Sequence, residues 1–220
     1  MCPLLPIRKP VLCYVTDRQS LAGPAAAARK LLLEKIENAA KAGVDWIQLR
    51  EKDLSGHELA DLARTALGSM SGASALLIND RLDVACVSGS SGVHLGENGV
   101  PVSEARRFAE ERCKGRKFRV GISVHSMHAA CEAERDGADY AIFGPIFATP
   151  SKASFGAPQG LVKLREVCQR LKIPVIAIGG ITLENADECL AAGAEGIAAI
   201  RLFQDAADLK RVVEQLRNAS

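Results

Sequence analysis

Eight short apolar runs, separated by stretches with helical spacing, constrain this chain more than any other feature. They are VLCYVT (11–16), WIQLR (46–50), ALLIN (75–79), GVHL (92–95), RVGISV (119–124), YAIFGPI (140–146), PVIAIGG (174–180) and GIAAI (196–200). Helical patterns occupy 24–42, 56–69, 102–112, 126–136, 159–171, 183–192 and 204–217, with a short one at 82–88. Several runs are apolar from end to end, as strands buried on both faces are. Eight strand–helix units in 220 residues fit a single (β/α)8 TIM barrel at the short end of its range. A doubly wound open sheet is the alternative, but it normally has fewer strands, and no GxGxxG follows the first run. No linker or low-complexity segment interrupts the pattern, so residues 1–220 read as one domain with 1–10 as an N-terminal extension.

One connection is used three times, in AKAGVDWIQL (40–49), ERDGADYAIF (134–143) and LAAGAEGIAA (190–199). Each joins a helical lead-in to a glycine, a small residue, an acid and an apolar run. Gly43, Gly137 and Gly193 fall where a helix terminator adopts positive φ. The acid is expected to bond backbone within its own turn.

Charge excludes some partners. Lys plus Arg total 28 against 26 for Asp plus Glu, so no basic excess argues for nucleic acid. No apolar run approaches the roughly 18 residues of a membrane span. The first residues lack the apolar core and cleavage site of a signal peptide. Seven cysteines without zinc-ligand spacing read as reduced thiols of a cytoplasmic protein.

In such barrels the active site forms at the C-terminal strand ends. Those ends carry Gln48, Arg50 and Lys52 after the second strand, Asn79 and Asp80 after the third, and His94 in the fourth. Ser123 and His125 follow the fifth, Thr149, Ser151 and Lys152 the sixth, Gly179-Gly180 the seventh, and Ile200-Arg201 the eighth. Individually these are ordinary wet ends of strands. Converged on one mouth, the cations, amides and hydroxyls suit a diphosphate ester. A carboxylate such as Asp80 belongs there if it holds Mg²⁺, which takes one or two carboxylates beside phosphate oxygens. The loop after the seventh strand, with the backbone after the eighth, suits a monophosphate. His94 reads as a packed, hydrogen-bonded histidine. His57 and His128 read as solvated, and Arg81 as paired with nearby acids.

IQLREKD (47–53), LINDRLDVA (77–85), GVHLGE (92–97), GISVHS (121–126), GPIFATPSK (144–152), GAPQG (156–160) and PVIAIGGIT (174–182) resemble the thiamine phosphate synthases and their TenI-type thiazole tautomerase relatives, from Tyr14 to about Leu202. The resemblance implies a Mg²⁺-dependent barrel enzyme that joins hydroxymethylpyrimidine pyrophosphate to thiazole phosphate and releases pyrophosphate. By it, Arg50, Lys52, Asn79 and Lys152 hold pyrophosphate and Asp80 binds Mg²⁺. Gln48, Ser123, Thr149 and Ser151 line the pocket around the pyrimidine and the leaving group, and Gly180 with the backbone near Ile200 takes the thiazole phosphate. The family precedent and the small size point to a homodimer.

Two positions depart from the family pattern. Gly99 stands where the synthases carry a second carboxylate ligand, and Arg201 stands where they carry a serine. Losing the carboxylate favours the tautomerase, in which His125 would move the proton and no metal is needed. His125 reads equally as the neighbour of a helix cap. Keeping Asp80 and the cations favours the synthase, and the balance lies with it. A catalytically inactive precursor-binding regulator is the third reading.

Overall fold

The computed structural model describes residues 10–149 and 157–218. Eight strands, β1 Val11–Val15, β2 Trp46–Leu49, β3 Ala75–Asn79, β4 Gly92–Leu95, β5 Arg119–Val124, β6 Tyr140–Phe143, β7 Val175–Ile178 and β8 Gly196–Ala199, pair in chain order. All pairings are parallel, and β8 closes on β1 through Val11 and Gly196. Around them run α1 Ala25–Ala42, α2 Gly56–Ser69, α3 Leu82–Ser88, α4 Val102–Arg112, α5 Met127–Arg135, α6 Gly160–Arg170, α7 Ala186–Ala191, α8 Arg201–Gln204 and α9 Leu209–Asn218. The barrel is the architecture that the eight apolar runs require. None of the described helices is long and apolar enough to cross a membrane.

The strands are apolar on both faces because each has two environments. One face joins the large cluster shared with the helices, including Leu12, Ile47, Leu76, Val93 and Val120. The other fills the cylinder, where Cys13, Val15, Leu77, Tyr140, Ile142, Ile176 and Ala198 pack together. Gly121 lies on this inner face: a Cβ there would stand 1.9 Å from the Tyr140 ring, so the glycine makes the space the tyrosine fills. Cys13, Cys113 and Cys189 are buried thiols, and burial pushes Cys13 and Cys189 up to about 12.

The repeated connection adopts the expected turn, with φ of +90° at Gly43, +90° at Gly137 and +103° at Gly193. Its acid does something else. Asp45 accepts the N–H of Leu12 at 2.7 Å, and Asp139 that of Val120 at 2.7 Å. Each carboxylate therefore ties the start of the preceding strand rather than its own turn. Asp45 also pairs with Arg217 at 2.7 Å, which bonds Gly43 O at 3.0 Å and locks α9 beneath the β1–β8 seam.

The helix expected over 204–217 starts only at Leu209, and a separate short helix, Arg201–Gln204, precedes it. Asp205 ends α8, and the Asp208 carboxylate accepts the Arg211 N–H at 3.0 Å to open α9. The run over 140–146 is paired only to Phe143, where the cis Gly144–Pro145 bond turns the chain.

Candidate active site

A line of side chains crosses the C-terminal rim from β2 to the turn after β4. Gln48 Nε2 donates to Asn79 Oδ1 at 2.8 Å, and Asn79 Nδ2 donates to Asp80 Oδ2 at 2.7 Å. The Gly96 N–H donates to Asp80 Oδ1 at 2.7 Å. Gln48 is 3% exposed, and its Oε1 has no hydrogen-bond partner among the described residues. A buried carbonyl left without a donor is costly, so this oxygen calls for a donor on a ligand or a water.

Asp80 has φ of +58°, the one positive value among the described non-glycine residues. Aspartate visits this region more readily than most residues, and both carboxylate oxygens hold it there. The backbone N–H of Asp80 donates to His94 O at 2.8 Å, which binds the bend to β4. Lys52, Asn79 and Asp80 line, with Glu51 and Arg81, a cavity of about 220 Å³. Arg81 itself pairs with Asp83 at 2.6 Å, on the surface.

Glu51 lies between two cations in sequence yet faces inward, at 4% exposure. It accepts the Thr16 hydroxyl at 2.6 Å and the Arg18 N–H at 3.1 and 3.2 Å, while the Arg18 guanidinium lies 3.7 Å away. Thr16 Oγ1 in turn accepts the Arg50 N–H at 3.0 Å. Glu51 thus pins the loop that carries Arg50 and Lys52 to the loop after β1. Burial pushes its carboxyl up, opposed by the bonds from Thr16 and Arg18. The sequence puts Thr16 and Arg18 at the polar end of the first strand but assigns them no role in the site. A glutamate flanked by two rim cations was the available signal.

On the far side of this line, Ser123 Oγ lies 2.9 Å from His94 Nε2, and His94 Nδ1 lies 3.1 Å from the Tyr140 hydroxyl. His94 is 1% exposed, and burial holds its imidazole down at about 4, so the ring is neutral. His125 is half-buried, pairs with Glu97 of the β4 turn, and precedes Ser126, which caps α5 by accepting the Ala129 N–H at 3.1 Å. His57 and His128 are exposed.

The β7 and β8 ends lie across the barrel from Asp80. Gly179 and Gly180 have φ of +98° and +67°. A Cβ on Gly179 would stand 2.5 Å from Pro145 Cβ, and one on Gly180 2.7 Å from Ala148 O, so both glycines serve close packing on the β6 loop. Ile200 is half-buried beside the inner cluster, and exposed Arg201 begins α8. Thr149 is the last described residue of the β6 loop before 150–156. Ser151 and Lys152 lie outside the described residues.

Gly99 turns toward Asp80. A Cβ at this position would stand 3.6 Å from Asp80 Oδ1. Glu97, the nearest acid in the turn, is engaged by His125.

Comparison with known proteins places the chain in a family. The family described as thiamine monophosphate synthase matches residues 12–203. A thiamine-phosphate synthase of Methanoculleus marisnigri is 42% identical over 181 residues, 82% of this chain and 83% of the relative. One from Syntrophomonas wolfei is 38% identical over 207 residues, 94% of both chains. The solved thiamine phosphate pyrophosphorylase of Pyrococcus furiosus superposes with a TM-score of 0.80 at 32% identity, covering 96% of each chain. A 3-hexulose-6-phosphate synthase, at 18% identity and a TM-score of 0.67, shares the fold alone. With residues 12–203 matched and relatives of about this length on both sides of the comparison, the chain belongs to the thiamine monophosphate synthase family.

Proposed function

We propose that this transferase joins a hydroxymethylpyrimidine group, delivered as its diphosphate ester, to thiazole phosphate. The exocyclic carbon–oxygen bond to the diphosphate breaks, the thiazole nitrogen bonds that carbon, and pyrophosphate leaves. The observation that carries the reading is the unpartnered, buried Gln48 Oε1 at the start of the Gln48–Asn79–Asp80 line. A pyrimidine amino group supplies the donor that this oxygen lacks.

Negative charge builds on the departing diphosphate as the bond breaks, so cations and donors aimed at it do most of the work. Arg50 and Lys52, held by the Glu51 pin, face that charge together with Asn79 and Ser123, and the family resemblance assigns Lys152 the same role. Thr149 lies at the same rim, and the family resemblance assigns it and Ser151 to the pocket around the pyrimidine and the leaving group. The thiazole phosphate lies toward Gly179, Gly180 and the backbone near Ile200, with Arg201 adding charge. The thiazole nitrogen is already nucleophilic and needs placement more than activation.

Mg²⁺ fits one protein ligand here. Asp80 uses one acceptor position on each oxygen for Gly96 and Asn79, and a carboxylate has about four. The described residues hold no cluster of three or more His, Cys, Asp or Glu suited to a metal. Phosphate oxygens and water would complete the shell, and the ion would neutralise the leaving group's charge.

The experiment is to mix both substrates with Mg²⁺ and follow thiamine phosphate. Turnover that stops with chelator and collapses in Gln48→Ala is the expected result. Metal-free isomerisation of carboxythiazole phosphate, abolished by His125→Ala, would replace this reading with the tautomerase. Binding of both precursors with neither activity would replace it with the regulator.

A further inference from the structure

On the inner face of β4, β5 and β6, Ser123 is backed by two polar groups, His94 and Tyr140, that the transfer chemistry does not itself require. Tyr140 and His94 are each 1% exposed, and their rings stack with centroids 5.6 Å apart. Among the described residues the Tyr140 hydroxyl has one partner, His94 Nδ1 at 3.1 Å, and His94 Nε2 meets Ser123 Oγ at 2.9 Å. A neutral imidazole carries one proton, so two arrangements exist. If Nδ1 held the proton, it would donate to the tyrosine oxygen, and the tyrosine proton would be left without an acceptor inside the barrel. If Nε2 holds it, every buried group is satisfied: Tyr140 donates to Nδ1, and Nε2–H donates to Ser123.

We infer that His94 and Tyr140 are positioning residues that hold Ser123 as an obligate donor, its hydroxyl proton turned out into the mouth. Ser123 Oγ already accepts from the ring, so its own proton goes to whatever lies beyond. That group must be an acceptor. A phosphate oxygen supplies that acceptor, while the second lone pair of Ser123 Oγ stays open to a further donor. The identification of that acceptor as the diphosphate rests on the synthase reading; the direction of the chain does not. Gly121 belongs to the same device, because only a residue without a Cβ leaves room for the Tyr140 ring.

The first test needs no substrate. Long-range proton–nitrogen NMR on the histidine-labelled protein reports which ring nitrogen of His94 carries the proton. A proton on Nε2 with Nδ1 bare is expected; a proton on Nδ1 overturns the inference. The second test measures inorganic pyrophosphate binding by calorimetry in the presence of Mg²⁺. His94→Leu and Ser123→Ala should each weaken it roughly tenfold, and the double variant no further, because both remove the same oriented donor. His94→Gln, which keeps a donor near the Nε2 position, should recover most of the loss. Additive losses, or a His94→Gln variant as weak as His94→Leu, would reduce the histidine to packing. If the wild type bound no pyrophosphate, the synthase reading would fall, and the tautomer measurement would still decide the chain.

Discussion

Gly99 and Asp80 face one another across the β4 turn, 3.6 Å from a Cβ built on the glycine to the Asp80 Oδ1. An aspartate at position 99 would bring a second carboxylate to the one already there. The same Cβ would lie 3.1 Å from Gly96 O, a tight contact that a few tenths of an ångström of turn movement relieves. Gly99→Asp is expected to strengthen Mg²⁺ binding on the order of tenfold in the absence of diphosphate, since a second carboxylate adds a full ligand charge. Titration with Mn²⁺ followed by electron paramagnetic resonance measures this directly. Unchanged affinity would mean that Asp80 is no metal ligand.

On the proposed reading, Lys152 separates leaving-group chemistry from substrate binding. Its charge is wanted where the diphosphate departs, so Lys152→Ala should lower kcat about 100-fold or more with little change in thiazole phosphate affinity. Steady-state kinetics with thiazole phosphate as the varied substrate provides the comparison. Equal losses in both would place the lysine at the thiazole side.

His94 gives the fold an acid-sensitive element. Its pKa is depressed by burial from 6.5 to about 4, so the unfolded chain takes up a proton that the folded one refuses. The stability associated with the neutral ring is complete above pH 6.5 and is lost as pH falls toward 4, by on the order of 3 kcal/mol. Urea unfolding at a series of pH values should show this loss in the wild type and not in His94→Gln. Glu51 has the opposite sign, because its raised pKa makes the folded state the better proton acceptor, and it contributes equally to both proteins. Parallel pH profiles would show that His94 titrates normally.

The Glu51 pin predicts coupled loss of stability and turnover. Removing the buried carboxylate strips the Thr16 hydroxyl and the Arg18 N–H of their acceptor, while the Arg18 guanidinium keeps its pair with Asp53, so Glu51→Ala should cost about 2–3 kcal/mol. Glu51→Gln keeps an acceptor and should cost less, yet still lower kcat through the displaced Arg50 loop. A Glu51→Ala variant with wild-type urea midpoint and turnover would remove the pin from the mechanism.

The barrel was legible because each strand is buried twice, once by helices and once by the opposite wall, and a doubly buried strand cannot hide its apolar character. The strand ends followed from that, and Gln48, Asn79 and Asp80 do meet. What the sequence did not yield depends on register across strands. The partners of His94 come from β5 and β6, and those of Glu51 from the loop after β1, tens of residues away. A glycine inside a strand, such as Gly121, accompanies close approach, but nothing local to it points to the Tyr140 ring. The break between α8 and α9 was closer to legible: Asp208 sits ahead of an apolar-periodic run as a capping residue does. The helical spacing on either side of it masked the interruption.

The seam between β1 and β8 has a kinetic consequence. Val11 finds its partner at Gly196, and the salt link that secures their joint is made by Arg217 on the last helix. Sealing the cylinder is therefore an encounter between the opening and closing portions of the polypeptide, a long-range event that slows folding relative to neighbour-by-neighbour pairing. Until then the two outermost strands present bare edges, and this is the interval in which a newly made chain is most open to association with its own kind.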